Sequence, residues 1–282
     1  MHIPVFHSWV LEHFGTLEDE QIIDGTLGEG GHTRLLLKAG ARVLALDADN
    51  EQIKRLAVSD PELCANTRCT IVNANFADIA QVALAHDYVS VHGVVLDLGL
   101  SMNQLRSSGG FSYKELHQPL HMVYTTVRAK MGAAGAADVV TYASKEELID
   151  IFEKFGELGS ASKIATAIVA YRAKHAIVTV EDFLKAIAGA AGEREYARIF
   201  QALRIAVNDE YESLKAGIAG ASSALKSGGI LQVISFHSLE DRWVKTEARK
   251  CGLIPVDKIS GKHESNYTFE RSATVRAFKK SL

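Results

Sequence analysis

The chain has 282 residues, of which 47% are hydrophobic and 23% are charged, and its formal net charge is −3. This composition is typical of a globular protein with a large core, and it excludes an intrinsically disordered or a collagen-like chain. The three cysteines provide neither a disulfide framework nor a zinc motif, so we expect a reducing compartment and no metal site. No apolar stretch reaches the length of a membrane span, and the first residues lack the layout of a secretion signal. We therefore expect a cytoplasmic protein without a membrane partner.

Strand and helix signals alternate over the first hundred residues. Apolar, β-rich runs end near Ile23, at Asp47 and at Asp97, and segments with helical character lie between them. Such alternation predicts a mostly parallel sheet with helices on both faces. Continuous apolar runs such as residues 94–96 fit strands that are covered on both sides. The sequence therefore predicts an α/β fold.

The middle of the chain has a different pattern, without a convincing strand between about residues 104 and 193. Ser144 with Glu147, and Thr179 with Asp182, have the spacing of helix-start signals. Apolar residues then recur at helical intervals. We predict an inserted all-helical domain at 105–194, within a discontinuous α/β domain formed by 1–104 and 195–282.

The last third of the chain predicts one long helix over roughly residues 195–226, ended by Gly228 and Gly229. The run "ILQVISF" is a further buried strand, "SLED" from Ser238 a further helix start, and "ATVRAF" a last strand. From Arg242 onward, ten Lys or Arg occur with four Asp or Glu. On charge alone, we interpret this excess as a solvated face.

The stretch "DGTLGEGGH", residues 24–32, follows the first strand and is rich in glycine. A glycine-rich turn between a strand and a helix lets a cofactor approach the backbone closely. Asp47 lies at the end of the next strand, near the spacing at which an acid holds the ribose of an adenosine cofactor. Asp49 is the competitor for this role. The alternative is a tight turn in which glycine serves packing alone.

The chemistry of this loop bears on the choice of cofactor. The loop lacks the G-x-G-x-x-G fingerprint of dinucleotide-binding proteins. Asp24 precedes the loop and Glu29 lies within it, and acids suit a pyrophosphate badly but suit a cationic sulfonium. The loop therefore favours S-adenosylmethionine over NAD.

Other polar and aromatic residues follow further strands, and ligands of open α/β sheets bind at the carboxyl ends of strands. These residues are Asp97, Phe76, Phe236 and His237. Each also has an ordinary explanation, as a helix cap, a core residue or a satisfied polar group. Their joint position at one sheet edge favours a functional interpretation.

Several stretches resemble one family, the RsmH (MraW) family of S-adenosylmethionine-dependent rRNA cytosine-N4-methyltransferases. They are "HIPV" at His2, "DGTLGEGGH" at Asp24, "LDLGLSMNQL" at Leu96, "GGFS" at Gly109, "FQALRIAVNDE" at Phe200 and "VISFHSLEDR" at Val233. The resemblance spans nearly the whole chain. It implies a class I methyltransferase fold, Rossmann-like with a mostly parallel sheet, and an inserted helical domain.

The same resemblance implies a cofactor, a partner and a set of site residues. The cofactor is S-adenosyl-L-methionine, and the partner is 16S ribosomal RNA in the small ribosomal subunit. The implied cofactor-binding residues are Gly30, Gly31, His32, Asp47, Phe76, Asp97 and Gln104. The oligomeric state stays open between a monomer and a homodimer.

The implied reaction requires groups that position a weak nucleophile, because the lone pair of cytosine N4 is delocalised into the ring. A hydrogen-bond acceptor near the amine would help. Asp97 is our first catalytic candidate, although the methionine amine of the cofactor competes for it. Asn208, on the polar face of its helix, is the second, and solvent contact is its alternative. Phe236 or His237 is expected to stack on the flipped base.

The chain departs from the family between His117 and Val123, where two acids and an arginine of the family are replaced. Before Phe200, only Arg198 of a family H-P-A-T-R run is present. These departures support a second hypothesis, a catalytically impaired RNA-binding or ribosome-assembly factor with a methyltransferase fold. A third, an NAD-dependent dehydrogenase, requires a fingerprint that is absent from the loop.

Overall fold

The computed structural model of this chain describes residues 4–99, 109–124, 135–261 and 272–281. The chain divides into two units. The sheet unit comprises Met1–Gly99 and Tyr211–Leu282, and the helical unit comprises Leu100–Glu210. Within the described ranges, no helix has both the length and the apolar character needed to cross a bilayer.

The sheet unit contains a seven-stranded sheet. Its strands are β1 (Gln21–Asp24), β2 (Arg42–Asp47), β3 (Cys69–Asn73), β4 (Val91–Asp97), β5 (Leu225–Ser235), β6 (Leu253–Ser260) and β7 (Thr274–Lys280). Their order is β3-β2-β1-β4-β5-β7-β6. The first five strands pair in parallel, whereas β7 is antiparallel to both β5 and β6. The predicted Rossmann-like, mostly parallel sheet is confirmed, and its strand order reverses between β1 and β4, where such sheets bind ligands.

The helices of the two units alternate with these strands or follow one another in the middle of the chain. In chain order they are α1 (His7–Phe14), α2 (Gly31–Lys38), α3 (Asn50–Ser59), α4 (Pro61–Cys64), α5 (Ile79–Ala85), α6 (Ala136–Tyr142), α7 (Lys145–Lys154), α8 (Ala161–Arg172), α9 (Val180–Ala186), α10 (Glu193–Asn208), α11 (Glu210–Ala224) and α12 (Ser238–Lys250). The predicted capping boxes begin α7 and α9, where Ser144 and Thr179 are the N-caps. In each box two otherwise unpaired backbone N–H groups are satisfied.

The sheet unit has hydrophobic cores on both faces of its sheet. Ile22 packs with Val10 and Phe14 on one face, and its neighbour Ile23 packs with Leu214 and other residues on the opposite face. Both isoleucines are fully buried, and each such side chain stabilises the fold by about 2 kcal/mol. This two-sided burial explains why the strands are continuously apolar.

The predicted long helix over residues 195–226 is wrong, because the structure contains two helices. α10 ends at Asn208, and Asp209 adopts the left-handed conformation with a φ of 51°. The Arg204 guanidinium donates to both carboxylate oxygens of Glu210, at 2.8 and 2.9 Å, across this break. Asp tolerates the left-handed region better than most residues, so the chain turns here without a glycine or a proline.

Three further details differ from the sequence predictions. Gly228 and Gly229 lie within β5, at a register shift against β4, because α11 already ends at Ala224. The N-cap of α12 is His237 and not Ser238. The strand β6 was not predicted because it contains Pro255, which is typical of edge strands and weakens the strand signal.

The helical unit has its own core, to which α10 contributes. Buried residues of α7, α8 and α9 pack together with those of α10; among them are Leu148, Phe152, Ile164, Phe183, Ile199 and Leu203. The described residues of this unit contain two isolated β-bridges and no strand. The structure therefore places α10 with the helices, whereas the sequence prediction grouped residues from 195 onward with the sheet.

Asn208 is buried within this unit, with 3% of its surface exposed, so solvent contact, the alternative to its catalytic role, is wrong. Its Oδ1 accepts from the backbone N–H of Tyr124 at 3.1 Å. Its Nδ2 donates to the carbonyl oxygens of Met122 at 2.8 Å and Arg204 at 2.9 Å. The amide thus ties residues 122–124 to α10, and these contacts describe a structural residue.

We predict that Asn208→Ala lowers the free energy of unfolding by about 2–4 kcal/mol, because it removes the amide that binds the buried Met122 carbonyl and the Tyr124 N–H. Urea unfolding followed by circular dichroism measures the change. Gln201→Ala is the matched control, since its amide makes only one contact, at 3.5 Å to the carbonyl oxygen of Phe155. Equal midpoints for the two variants would contradict a structural role for the Asn208 amide.

Candidate functional site

The loop between β1 and α2 is held by a buried carboxylate at its start. Asp24 accepts from the backbone N–H of Thr26 at 3.1 Å and from the hydroxyl of Thr33 at 2.6 Å. The first bond closes the loop and the second ties it to α2. Burial raises the pKa of Asp24, and the bonds from Thr33 and Thr26 together with the nearby His32 oppose this rise.

The glycines of the loop have two different explanations. A Cβ on Gly25 would collide with the side chain of Leu96, and one on Gly31 would lie 3.1 Å from Cβ of Pro4. Gly30 has a φ of 78°, a conformation that favours glycine. Packing therefore accounts for Gly25 and Gly31, and backbone geometry accounts for Gly30, while the loop backbone stays close to the sheet edge.

Asp47 fixes the loop from the end of β2. Its Oδ2 accepts from the backbone N–H of Gly28 at 2.8 Å, and its Oδ1 accepts from that of Asp49, also at 2.8 Å. Burial raises the pKa of Asp47 to about 6, although these two backbone bonds oppose the rise. Asp49 instead caps α3, and it lies 3.3 Å from Arg55. The structure thus places Asp47, and not its competitor Asp49, against the glycine loop.

Two further side chains position the loop and were not found from the sequence. Gln52 of α3 is buried, and its Nε2 donates to the carbonyl oxygen of Gly28 at 3.1 Å. The Thr26 hydroxyl accepts from the backbone N–H of Asp97 at 2.7 Å and so ties the loop to the end of β4. Both roles depend on tertiary contacts, and no motif in the sequence around Thr26 or Gln52 indicates them.

His32 and Asp97 form a pair beside this loop. The His32 Nε2 lies 3.6 Å from Asp97 Oδ2, which is beyond hydrogen-bond distance. His32 is 5% exposed, and neither of its ring nitrogens has a hydrogen-bond partner among the described residues. Burial alone would lower the pKa of His32. The nearby carboxylates of Asp97 and then Asp24 outweigh this effect, and the net result is a raised pKa.

These side chains fit a cationic adenosine cofactor better than a dinucleotide. Asp24, Asp47 and Asp97 concentrate negative charge around the loop, which disfavours a pyrophosphate and favours a sulfonium or an ammonium group. The unpaired ring nitrogens of His32 are available to a carboxylate or a hydroxyl of a ligand. S-adenosylmethionine carries all of these groups, so the residues present fit it.

Two aromatic residues lie at the same edge of the sheet. Phe76 follows β3, and its ring packs where a Cβ on Gly217 would be 2.5 Å away. Phe236 follows β5, and its ring lies 2.6 Å from the position of a Cβ on Gly99. Both rings are partly buried. Phe236 therefore stands beside the segment that follows Asp97.

His237, in contrast, has a structural task. As the N-cap of α12, its Nδ1 accepts from the backbone N–H of Glu240 at 3.2 Å. Its Nε2 lies 2.9 Å from Glu240 Oε1. These contacts hold the ring against α12, so Phe236 is the stronger candidate to stack on a base.

The register of the sheet brings most of the predicted residues together. Asp24 is in register with Ala45 of β2 and Val95 of β4, and Asp97 with Ile234 of β5, so the ends of these strands form one edge. Asn208 belongs to the helical unit. Gln104 lies outside the described residues. In the part of the chain that the structure describes, no group of three or more His, Cys, Asp or Glu is arranged to hold a metal ion.

Comparison with known proteins identifies the family of this chain. Residues 1–259 match the MraW methylase family. The chain is 41% identical over 261 residues to "Ribosomal RNA small subunit methyltransferase H" of Thermomicrobium roseum, covering 88% of this chain and 77% of that protein. It is 38% identical over 249 residues to the protein of the same name from Methylacidiphilum infernorum, covering 86% of this chain and 77% of that protein.

Among solved structures, an S-adenosylmethionine-dependent O-methyltransferase from Thermotoga maritima aligns with a TM-score of 0.49 and 10% identity, covering 100% of this chain and 68% of that one. The assignment rests on the sequence matches and not on this likeness. The chain belongs to the MraW methylase family and is an S-adenosylmethionine-dependent methyltransferase.

Proposed function

We propose that this protein methylates the exocyclic N4 of a cytosine in 16S ribosomal RNA of the small ribosomal subunit, in the cytoplasm. The names of its relatives, which refer to small-subunit ribosomal RNA, support this substrate. The acidic glycine loop supports the cofactor. We assign the adenosine and methionine parts of the cofactor to Gly30, Gly31, His32, Asp47 and Phe76, together with Gln104.

The observation that carries this proposal is the position of Phe236 next to Asp97. Asp97 ends β4, Phe236 follows the end of the neighbouring parallel strand β5, and the Phe236 ring lies against Gly99, two residues beyond Asp97. The Asp97 side chain is 22% exposed. A carboxylate and an aromatic face at one strand end suit a flipped base that carries an amino group.

The roles of the chain's own groups follow from this arrangement. When bound, the cofactor supplies an electrophilic methyl carbon on its sulfonium. Phe236 stacks on the base, and Asp97 accepts a hydrogen bond from the amine and orients its lone pair. The amine would lose a proton once it is methylated, and the Asp97 carboxylate would accept that proton.

The departures at His117–Val123 lie on a segment that packs into the helical unit. Met122 is fully buried, and Val123 packs against the core of the helical unit. Asn208 holds the backbone of residues 122 and 124. The replaced acids and arginine therefore change side-chain charge on a folded segment, which favours retained methyl transfer over a purely binding role.

We predict that the purified protein transfers labelled methyl from S-adenosylmethionine to small-subunit particles, and that nucleoside mass spectrometry detects N4-methylcytidine. Asp97→Ala should lower the rate at saturating cofactor at least about 100-fold, the scale of a lost transition-state hydrogen bond. Protein that binds both cofactor and particles but forms no N4-methylcytidine would contradict the proposed function.

We predict that Asp47→Ala weakens S-adenosylmethionine binding by about 1–3 kcal/mol, the scale of lost charge-assisted hydrogen bonds. Isothermal titration calorimetry measures the affinity. Asp49→Ala is the matched control, because it removes the neighbouring carboxylate that caps α3 and should leave the affinity unchanged. The ribose assignment fails if the two variants bind the cofactor equally well.

The raised pKa of Asp47, about 6, predicts a pH dependence of cofactor binding. The ribose hydroxyls donate to the ionised carboxylate, so affinity falls as pH decreases and Asp47 takes up a proton. At pH 5 only about one carboxylate in ten is ionised, so the wild type should lose about tenfold in affinity relative to pH 7.5. Titrations of Asp47→Ala across the same range should lack this component. An equal pH dependence in both proteins would exclude Asp47 as its source.

A further inference from the structure

The exposed face of α12 carries only basic charges. Arg242, Lys245, Arg249 and Lys250 are all exposed, and their spacing places them along one side of the helix. The sequence of this helix also contains three acids, so its net charge is small. The exposed charge of α12 therefore depends on where its acidic side chains point.

None of the three acids of α12 is exposed, and each has a partner outside this face. Glu247, 3% exposed, accepts from the hydroxyl of Tyr211 at 3.0 Å as well as from Lys250. Glu240 is buried beside His237 and accepts from the backbone N–H of Phe236. Glu247 thus shares the charge of Lys250, whereas Arg249 is exposed on the same face.

Asp241, the third acid, is paired mainly with another strand. It accepts two bonds from the Arg276 guanidinium of β7, at 2.5 and 3.0 Å, and it lies 3.3 Å from Lys245. Burial would raise the pKa of Asp241, but Arg276 and Lys245 outweigh this and lower it. Arg276 already neutralises the negative charge of Asp241. The group of Asp241, Arg276 and Lys245 therefore keeps one net positive charge.

The position of α12 connects this face to the candidate active site. The helix begins directly after His237, and the preceding residue Phe236 lies against Gly99. β5 and β6 are both antiparallel to β7 and hence parallel to each other, so α12 leads back from the carboxyl edge of the sheet. From Arg242 to Lys250 the bases extend over about 12 Å of helix.

We propose that the exposed face of α12 binds the phosphate backbone of the substrate RNA next to the flipped nucleotide. This inference rests on the proposed function for the identity of the RNA. Basic side chains without base contacts position a nucleic acid and supply salt-dependent affinity. The face would hold the strand while Phe236 and Asp97 engage the target base.

The apolar side of α12 argues against an anionic membrane as the partner. A helix that lies on a membrane inserts apolar residues next to its basic ones. In α12 the apolar residues Leu239, Val244 and Ala248 are buried within the sheet unit. The exposed face offers charge without an apolar wedge, which fits a phosphate backbone.

The test uses the double variant Lys245→Gln/Arg249→Gln and, as a matched control, Lys54→Gln/Lys154→Gln. Each pair removes two exposed positive charges, and the control lysines are 62% and 65% exposed on other helices. The probe is a 20-nucleotide single-stranded RNA, with fluorescence anisotropy read from 50 to 300 mM KCl. We expect the α12 variant to bind about tenfold more weakly at 150 mM salt. We also expect its log–log salt slope to be reduced by about 1.4, or 0.7 per lost phosphate contact. The control should match the wild type.

Cofactor affinity and methyl transfer separate the possible outcomes. The α12 variant should bind S-adenosylmethionine like the wild type, and its KM for small-subunit particles should rise while kcat is kept. RNA affinity and salt slope equal to those of the control would overturn the inference, as would loss of binding to phosphatidylserine vesicles with unchanged RNA binding. If the wild type forms no N4-methylcytidine but the variant still loses RNA affinity, the proposed substrate fails and the RNA-binding face stands.

Discussion

The site depends on one energetic constraint, the burial of a carboxylate at the start of the glycine loop. A buried carboxyl group is tolerated only where hydrogen bonds replace its water. Asp24 obtains these bonds from Thr26 and Thr33, and in doing so fixes the loop to α2. Thr26 in turn holds the backbone of Asp97. The bonds that satisfy the buried carboxyl group are thus the same bonds that set the geometry of the loop and of the neighbouring strand end.

Burial of a second carboxylate at this edge, that of Asp47, reduces the stability of the fold. Asp47 has its pKa raised from 3.8 to about 6. The folded protein therefore binds more protons than the unfolded chain between about pH 4 and pH 6, and stability decreases as pH rises through this window. Above the window, keeping Asp47 ionised costs about 3 kcal/mol. A cationic ligand offsets this cost. The acidic edge of the sheet therefore lowers the stability of the fold but favours binding of the cofactor.

The sequence predicted those features that follow from local pattern and strand direction. Asp47 and Asp97 were found because the ends of parallel strands coincide at one edge, whatever the helices between them do. The break at Asp209 was missed because no glycine or proline marks it, and the ion pair of Arg204 with Glu210 accompanies it. The burial of Asn208 was missed for a related reason. Helical periodicity placed it on a polar face, but its partners come from residues 122–124, distant in sequence.

In the described part of the sheet unit, several acidic side chains are buried and the lysine and arginine side chains are not. This difference bears on both proposed binding surfaces. Asp24, Asp47, Glu240 and Glu247 are buried, whereas no lysine or arginine of the described residues is. Short carboxylate side chains can accept backbone or hydroxyl bonds inside a fold, while long basic side chains keep their charge in water. Two of these acids, Asp24 and Asp47, lie at the loop where a cationic cofactor would bind, and the bases of α12 face outward where an anionic strand would pass. The net charge of −3 conceals this separation, because a total cannot distinguish a charge used inside the fold from one presented to a partner.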